Sequence, residues 1–207
     1  MLYFDIGANI GLWTLSNMQS NVTFITIEAS PKTYNIMEKN LSIYNNITTL
    51  NYAISPGNEE TITFYDSDAD TISTINKDWL TSTRSRFYNY AKYNEIKVNR
   101  KSIDDLINEY GNPDLLKVDV EGAEHIVLKS LTMKVKLLCF EWAAEWKDET
   151  NEIIDYLYNL GFIEFSIQLN SDEYTYRPKE YEHTAESLKK FISNTINKHH
   201  FGMVWCK

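Results

Sequence analysis

Three short stretches carry side chains that could do chemistry together. Asp5-Ile6-Gly7-Ala8-Asn9-Ile10-Gly11 sets a carboxylate, two glycines and an amide where an apolar run breaks. Gly7 permits a tight turn and Gly11 a close backbone approach. A carboxylate at such a turn suits a ligand with an ammonium group. The spacing is G-x-x-x-G, so the G-x-G-x-x-G cradle for a dinucleotide pyrophosphate is absent, and no Lys-Ser/Thr pair follows as in a P-loop. Glu28 lies 17 residues beyond Gly11, at the end of a second β-rich run. An acid there can accept both hydroxyls of a ribose. Alone, the first stretch is also a plain strand-to-helix turn and Glu28 a strand-end charge; together they favour a binding site. In the third stretch Lys117, Asp119 and Glu121 alternate, so an extended chain projects all three to one face. One cation and two acids there can orient a hydroxyl, take its proton and steady the charge that develops. Asp119 is the first candidate base and Glu121 the second. Lys117 equally fits a structural pair with Asp119.

Other groups have weaker patterns. Glu141 and Glu145 bracket a later apolar run, and with Asp119 they could make a divalent-metal cluster with oxygen ligands. No metal is the first expectation, and Glu141 is equally suited to bind an acceptor. Glu124, at a helix start, fits dipole stabilisation better than catalysis. His125 and the pair His199-His200 lack zinc-site spacing. Residues 84–101 hold six bases (Arg84, Arg86, Lys92, Lys97, Arg100 and Lys101) against Glu95, with Phe87, Tyr88, Tyr90 and Tyr93 interleaved. Bases among rings can stack and hold phosphates, or they can be a solvated lid surface.

The elements that would position these groups follow from period and punctuation. Leu2–Ile6 and Val22–Ile27 read as strands, the first followed by a helix containing Trp13 and Leu15. Ser30-Pro31 is an N-cap with proline at the first helical position, and Tyr34, Met37, Leu41 and Tyr44 follow at helical spacing. Ile47–Ile54 reads as a third strand and Thr61–Tyr65 as an edge strand. Residues 66–94 have no clean period, as expected of a functional loop or lid. Ile96–Arg100 is a strand, and Ser102 with Asp105 a capping box. Leu115–Val120 is a core strand, Gly122–Leu131 a helix and Leu137–Trp142 a strand. A helix through Ile153, Ile154, Leu157 and Leu160 leads to strands Phe162–Leu169 and Phe201–Cys206. Between those two strands, Leu188, Phe191, Ile192 and Ile196 mark a last helix. Strands alternating with helices imply a mostly parallel sheet covered on both faces. A ligand then sits beyond the carboxyl ends of the strands.

At 207 residues the chain fits a single domain, 1–207, in which 66–101 forms an acceptor-side loop or lid. A hydrophobic fraction of 43% argues against disorder. No run approaches the roughly 20 apolar residues of a membrane span, and the start lacks a secretory signal. No membrane partner is expected, therefore, and Cys139 and Cys206 read as buried thiols of a cytoplasmic protein. The net charge of −9 disfavours a broad nucleic-acid surface. Most of it falls in residues 104–152, which hold twelve acids and five bases, around the proposed site.

The blocks Phe4–Gly11 (FDIGANIG), Glu28-Ala29-Ser30-Pro31, Asn51–Ser55 (NYAIS) and Leu116–Glu124 (LKVDVEGAE) resemble the FkbM-type family of S-adenosylmethionine-dependent methyltransferases. The resemblance implies a Rossmann-like methyltransferase fold with strand order 3-2-1-4-5-7-6 and an antiparallel last strand. It places Asp5, Gly7, Asn9 and Gly11 at the methionine part of the cofactor, Glu28 at the ribose, and Ala29, Asn51 and Ala53 near the adenine. Asp119 would face the sulfonium. More weakly, Asp70–Thr74 resembles a Ser-rich segment before the acceptor region, which makes Ser73, Thr74, Arg84, Arg86 and Glu141 the expected acceptor contacts. The chain opens directly on the first strand, whereas members usually carry upstream covering elements, so acceptor recognition is expected from residues 66–94 or a partner subunit. The implied activity is O-methylation of a sugar-containing or other small metabolite, with S-adenosylhomocysteine as product. An RNA 2′-hydroxyl is the rival acceptor, and a non-catalytic cofactor-binding subunit the rival of another class.

Overall fold

Short runs of branched and aromatic residues alternate with glycine- or proline-marked turns, and each becomes a buried strand or the helix after it. The computed structural model describes residues 1–169, 173–195 and 200–207. In chain order they form β1 (Leu2–Ile6), α1 (Leu12–Ser16), β2 (Thr23–Ile27), α2 (Pro31–Leu41), β3 (Ile47–Leu50), β4 (Ala53–Ile54), β5 (Thr61–Ser67), α3 (Lys77–Thr81) and β6 (Tyr93–Lys101). Then come α4 (Ile103–Tyr110), β7 (Leu115–Val118), α5 (Glu124–Val127), β8 (Leu138–Ala143), α6 (Lys147–Asn159), β9 (Phe165–Ile167), α7 (Ala185–Thr195) and β10 (Phe201–Cys206).

Seven strands make one sheet in the order β3-β2-β1-β7-β8-β10-β9. Counted within that sheet alone, the order is 3-2-1-4-5-7-6. β3, β2, β1, β7 and β8 run parallel, whereas β10 is antiparallel to both β8 and β9. The architecture is that of the Rossmann-like methyltransferases, with three further strands, β4 to β6, set apart in a small sheet of order β4-β6-β5. All four residues of β7 are buried, as a parallel strand covered on both faces requires. Phe4, Leu116, Phe140 and Val204 pack in the main core with Leu106, Val127, Ile154 and Leu188 from the helices. The opposite face of the central strands carries Asp5, Lys117, Cys139 and Trp205, each paired in register with the next. The alternation of side chains along each strand therefore brings an acid and a lysine side by side in mid-sheet.

Both expected helix starts are present. Ser30 Oγ accepts from Thr33 N–H, with Pro31 at the first position, and Ser102 and Asp105 form a reciprocal capping box. The third strand differs from the single run expected over Ile47–Ile54. It breaks after Leu50, and Ala53–Ile54 pairs with Arg100–Lys101 in the small sheet. Asn51 causes the break, because its Nδ2 donates to the carbonyls of Glu28 (2.8 Å) and Ala29 (3.1 Å). Residues 66–94 are also more ordered than the missing period implied. β5 runs on to Ser67, a 3-10 turn occupies Asp70–Ile72, and Asn76 caps α3. Trp79 of α3 packs on Trp146 with ring centroids 5.8 Å apart, so the segment is pinned to the body. The helix expected over Gly122–Leu131 is shorter, α5 followed by a 3-10 turn at Leu128–Ser130. Ile196 and His199 lie outside the described residues. Cys139 and Cys206 are buried free thiols. No helix among the described residues is long and apolar enough to cross a membrane.

The turn after β1 depends on Gly7. Its φ is +74°, and an added Cβ would fall 1.7 Å from the Asp119 carbonyl oxygen. Gly161 also has positive φ, but there the nearest atom would be Lys134 Cδ at 3.7 Å. Gly7→Ala should therefore lose about 3 kcal/mol or more in urea unfolding, against roughly 1–2 for Gly161→Ala. Equal losses would remove the close approach as the reason for Gly7.

Candidate functional site

The site grows from a charge pair that the sheet itself creates. β1 and β7 set Asp5 opposite Lys117, and both side chains are buried. Lys117 Nζ lies 3.0 Å from Asp5 Oδ1 and 3.3 Å from Asp119 Oδ2, and donates to the Gly7 carbonyl at 2.9 Å. Asp5 Oδ2 accepts from the Thr14 hydroxyl of α1 at 2.8 Å. Burial pulls the lysine pKa down, but attraction to Asp119 and Asp5 more than reverses this and leaves it above its ordinary value. One ammonium thus ties together β1, the glycine turn and the end of β7. Removing one partner of such a buried set costs about 3–5 kcal/mol. Lys117 is the structural partner of Asp119, and of Asp5 as well.

Two cavities flank this group. The first, of about 370 Å³, runs over the glycine turn and the ends of β2 and β4. Of the expected cofactor contacts, Gly7, Asn9, Glu28, Ala29, Ala53 and Asp119 line it. Glu28 accepts from the backbone N–H of Asn9 (2.9 Å) and of Ser30 (2.8 Å), one on each oxygen. Burial nevertheless pushes its pKa up to about 7. Asn9 takes φ of +51° and its Oδ1 accepts from Ile10 N–H, which turns the chain toward the cavity. Ile54, Phe64 and Ile75 give the far end an apolar wall.

Three expected contacts are not on that lining. Asp5 lies beneath it, its oxygens taken up by Thr14 and Lys117. Gly11 makes room for Leu41 of α2, whose Cδ1 would lie 2.9 Å from an added Cβ. Asn51 ties the two carbonyls beside Glu28. These three shape the cavity without facing it. Ser73 and Thr74, expected on the acceptor side, line this first cavity instead. Ser73 Oγ accepts from Ser67 N–H, and the Thr74 hydroxyl donates to the Val120 carbonyl.

The second cavity, of about 450 Å³, opens between β8, β10 and the segment carrying Trp79. It shares Trp13, Thr71, Lys117, Asp119, Glu121 and Tyr174 with the first, so the two are lobes meeting at the charge group. Glu141 and Arg86 line it. Arg84 does not: it bonds Glu149 and stacks over the Trp146 ring at 3.6 Å. Glu145 is likewise absent from the acid grouping, because Arg86 holds it at 2.5 and 2.6 Å. Glu124 stands there instead. Asp119, Glu124 and Glu141 each place a carboxylate oxygen within 4.8 Å of the others, and Glu124 Oε1 also accepts from Val120 N–H. The strand does not persist to Glu121 as the alternation assumed. It ends at Val118, and Glu121 adopts a left-handed backbone, φ +56°, yet its side chain still reaches the junction. Burial, then repulsion from Asp119, raises the pKa of both Glu121 and Glu141 well above the usual carboxylate range. Glu124 rises to about 7, chiefly through burial. The bases of residues 84–101 do not form one patch: Arg100 bonds backbone carbonyls near residue 55, and Lys101 pairs with Glu109. Tyr174, Gln168 and Trp205 also line the second lobe. No motif marks these three, and only the fold brings them there.

Residues 5–164 match the family described as Methyltransferase FkbM domain. "Methyltransferase 1" of Beauveria bassiana (strain ARSEF 2860) is 28% identical over 141 residues, 61% of this chain and 57% of that protein. The aligned region thus spans little more than half the length of that relative. Among solved structures, precorrin-6y C5,15-methyltransferase from Geobacter metallireducens GS-15 superposes with a TM-score of 0.51 at 12% identity, covering 100% of this chain and 78% of that one. Precorrin 8W decarboxylase from Methanobacterium thermoautotrophicum gives 0.50 at 14%, covering 100% and 81%. At such identities the likeness is one of fold.

The buried acids predict how stability varies with pH. Glu28 and Glu124 sit at about 7 when folded, against 4.5 for a free glutamate. Between those values the folded chain keeps protons that the unfolded chain has lost, so stability falls as pH rises through that window. Urea midpoints should decline from about pH 5 to 8. Glu141→Gln, which removes one of the mutually repelling carboxylates, should make the decline shallower and raise the midpoint at the alkaline end. A midpoint that climbs with pH would contradict this.

Proposed function

Because the chain belongs to the FkbM methyltransferase domain family, we propose that it transfers a methyl group from S-adenosylmethionine to a hydroxyl oxygen of a small sugar-containing or otherwise hydroxylated acceptor. The observation that carries this reading is the meeting of two lobes at Asp119, Lys117 and Glu121. A volume of about 370 Å³ lies in the range of small-ligand sites. The donor set of the first lobe fits the cofactor. Glu28 retains acceptor capacity after binding two backbone N–H groups, enough for a ribose diol. The Asn9 turn offers polar groups to the amino-acid end, and Ile54, Phe64 and Ile75 an apolar wall to the base. When bound, the cofactor supplies a methyl already activated on a sulfonium.

The acceptor must then be aligned and lose its proton. Asp119 was the first choice of base from the sequence, but its carboxylate is already engaged by the Lys117 ammonium 3.3 Å away. Glu121 is better suited. It lines both lobes, it has no cation within ion-pair distance among the described residues, and its affinity for a proton is raised. Its left-handed backbone is the kind of local strain that persists where function needs a side chain aimed. In this reading Asp119 and Lys117 hold the junction, the first lobe would hold the cofactor that supplies the methyl, and Glu121 would take the proton that the acceptor hydroxyl gives up. An RNA 2′-hydroxyl is less well supported, since Arg84 and Arg86 are already paired with Glu149 and Glu145.

S-adenosylhomocysteine at a hundred times its dissociation constant should stabilise the protein by about 2.7 kcal/mol, a shift of several degrees in Tm. Glu28→Ala should remove most of that shift, and its absence from the parent protein at millimolar ligand would refute the cofactor reading. Glu121→Gln should keep the shift and lower kcat by about 10²–10⁴; an unchanged kcat would take Glu121 out of proton transfer.

A further inference from the structure

The second lobe has a charge balance that a neutral hydroxylated acceptor does not explain. Among the described residues that line it, Asp119, Glu121 and Glu141 meet at the junction side with two bases, Arg86 and Lys117. Both bases are committed. Arg86 grips Glu145, which is not on the lining, and Lys117 is held by Asp5 and Asp119. No described cation comes within ion-pair distance of Glu141, and Asp119, Glu121 and Glu124 crowd it with like charge. Aromatic rings complete the wall, with Trp13, Trp79, Phe87 and Trp205 among them. Carboxylates together with ring faces are the chemistry that receives an organic cation.

A second observation points to oxygen on the same ligand. Gln168 is 7% exposed and Trp205 is 2% exposed, and both line the lobe. Gln168 Nε2 and Trp205 Nε1 are buried donors with no hydrogen-bond partner, which is costly unless something accepts from them. Both residues line the lobe while the two atoms themselves are covered, so an acceptor oxygen would reach them only after a side-chain adjustment. The carboxylates therefore come first in recognition.

We propose that the acceptor is a hydroxylated amine, such as an amino sugar, whose ammonium group is received by Glu141 while a neighbouring hydroxyl is presented at the lobe junction. This deepens the methyl-transfer reading and rests on it. Glu141 is then a specificity residue, distinct from Glu121, because of the two lobes it lines only the second. A divalent ion bound by Asp119, Glu124 and Glu141 is the competing occupant, and the experiment separates the two.

The test uses protein saturated with S-adenosylhomocysteine and compares glucosamine, N-acetylglucosamine and glucose at equal concentration by calorimetry and thermal shift. Glucosamine should bind at least about tenfold more tightly than the other two. Glu141→Gln should narrow that ratio to about twofold or less, and Glu141→Asp should recover part of it. Equal affinities for the three, or no binding of glucosamine at tens of millimolar, would overturn the proposal. So would a magnesium-induced shift that EDTA reverses and that blocks glucosamine. Failure of S-adenosylhomocysteine itself to bind would instead remove the methyl-transfer reading, so the two failures are distinguishable.

Discussion

Everything at this site depends on one buried ammonium having more than one carboxylate to satisfy it. A lysine in mid-sheet with a single partner would have to lose its proton or pull in water. Lys117 has Asp5 across the strand pair, Asp119 beyond its own strand and the Gly7 carbonyl above. The arrangement costs desolvation, and such pairs rarely add net stability over an apolar filling. What it supplies is position. The glycine turn, the first helix and the end of the fourth sheet strand are held at fixed separations by a single charged atom. Residues that line the cavities can then remain polar without each needing its own support.

The same electrostatics divides the acids into two kinds. Asp5 and Asp119 face a cation. Glu121, Glu124 and Glu141 lie within reach of Asp119 but have no counter-ion of their own among the described residues, and burial makes their charge expensive. A protein that leaves three such groups together stores an affinity for whatever positive species enters. The net charge of −9, spread over the whole surface, would say little. Asp119, Glu121 and Glu141, gathered where the two cavities join, make charge a property of the site.

The centre of the sheet was legible because β1, β7 and β8 are runs of four to six mostly buried residues set off by glycine, proline or capping residues. Asp5, Glu28 and Asp119 could be singled out because each ends, or nearly ends, such a run. Legibility stopped where local pattern stops. Asp5 looked like a ligand contact, yet register turned it inward to Lys117. Arg84 and Arg86 looked like a basic patch, but their partners Glu149 and Glu145 lie about sixty residues away in the chain. The helix α3 has five residues, too few to show a period. Gln168, Tyr174 and Trp205 reach the second lobe only because the antiparallel strand β10 folds back beside β8.

The stretch between β5 and β6 has one further consequence. Ser67 and Tyr93 are paired across these strands, so the chain leaves the small sheet and returns to it at the same place. What lies between them contributes Thr71, Ile72, Trp79, Arg86 and Phe87 to the second lobe, while most of the first lobe is built from the large sheet. A closed excursion of this kind can be lengthened, shortened or exchanged at small entropic cost. Changes in this one insertion can therefore reshape the second lobe and, through Thr71, Ser73, Thr74 and Ile75, one edge of the first, while the glycine turn and Glu28 stay with the large sheet.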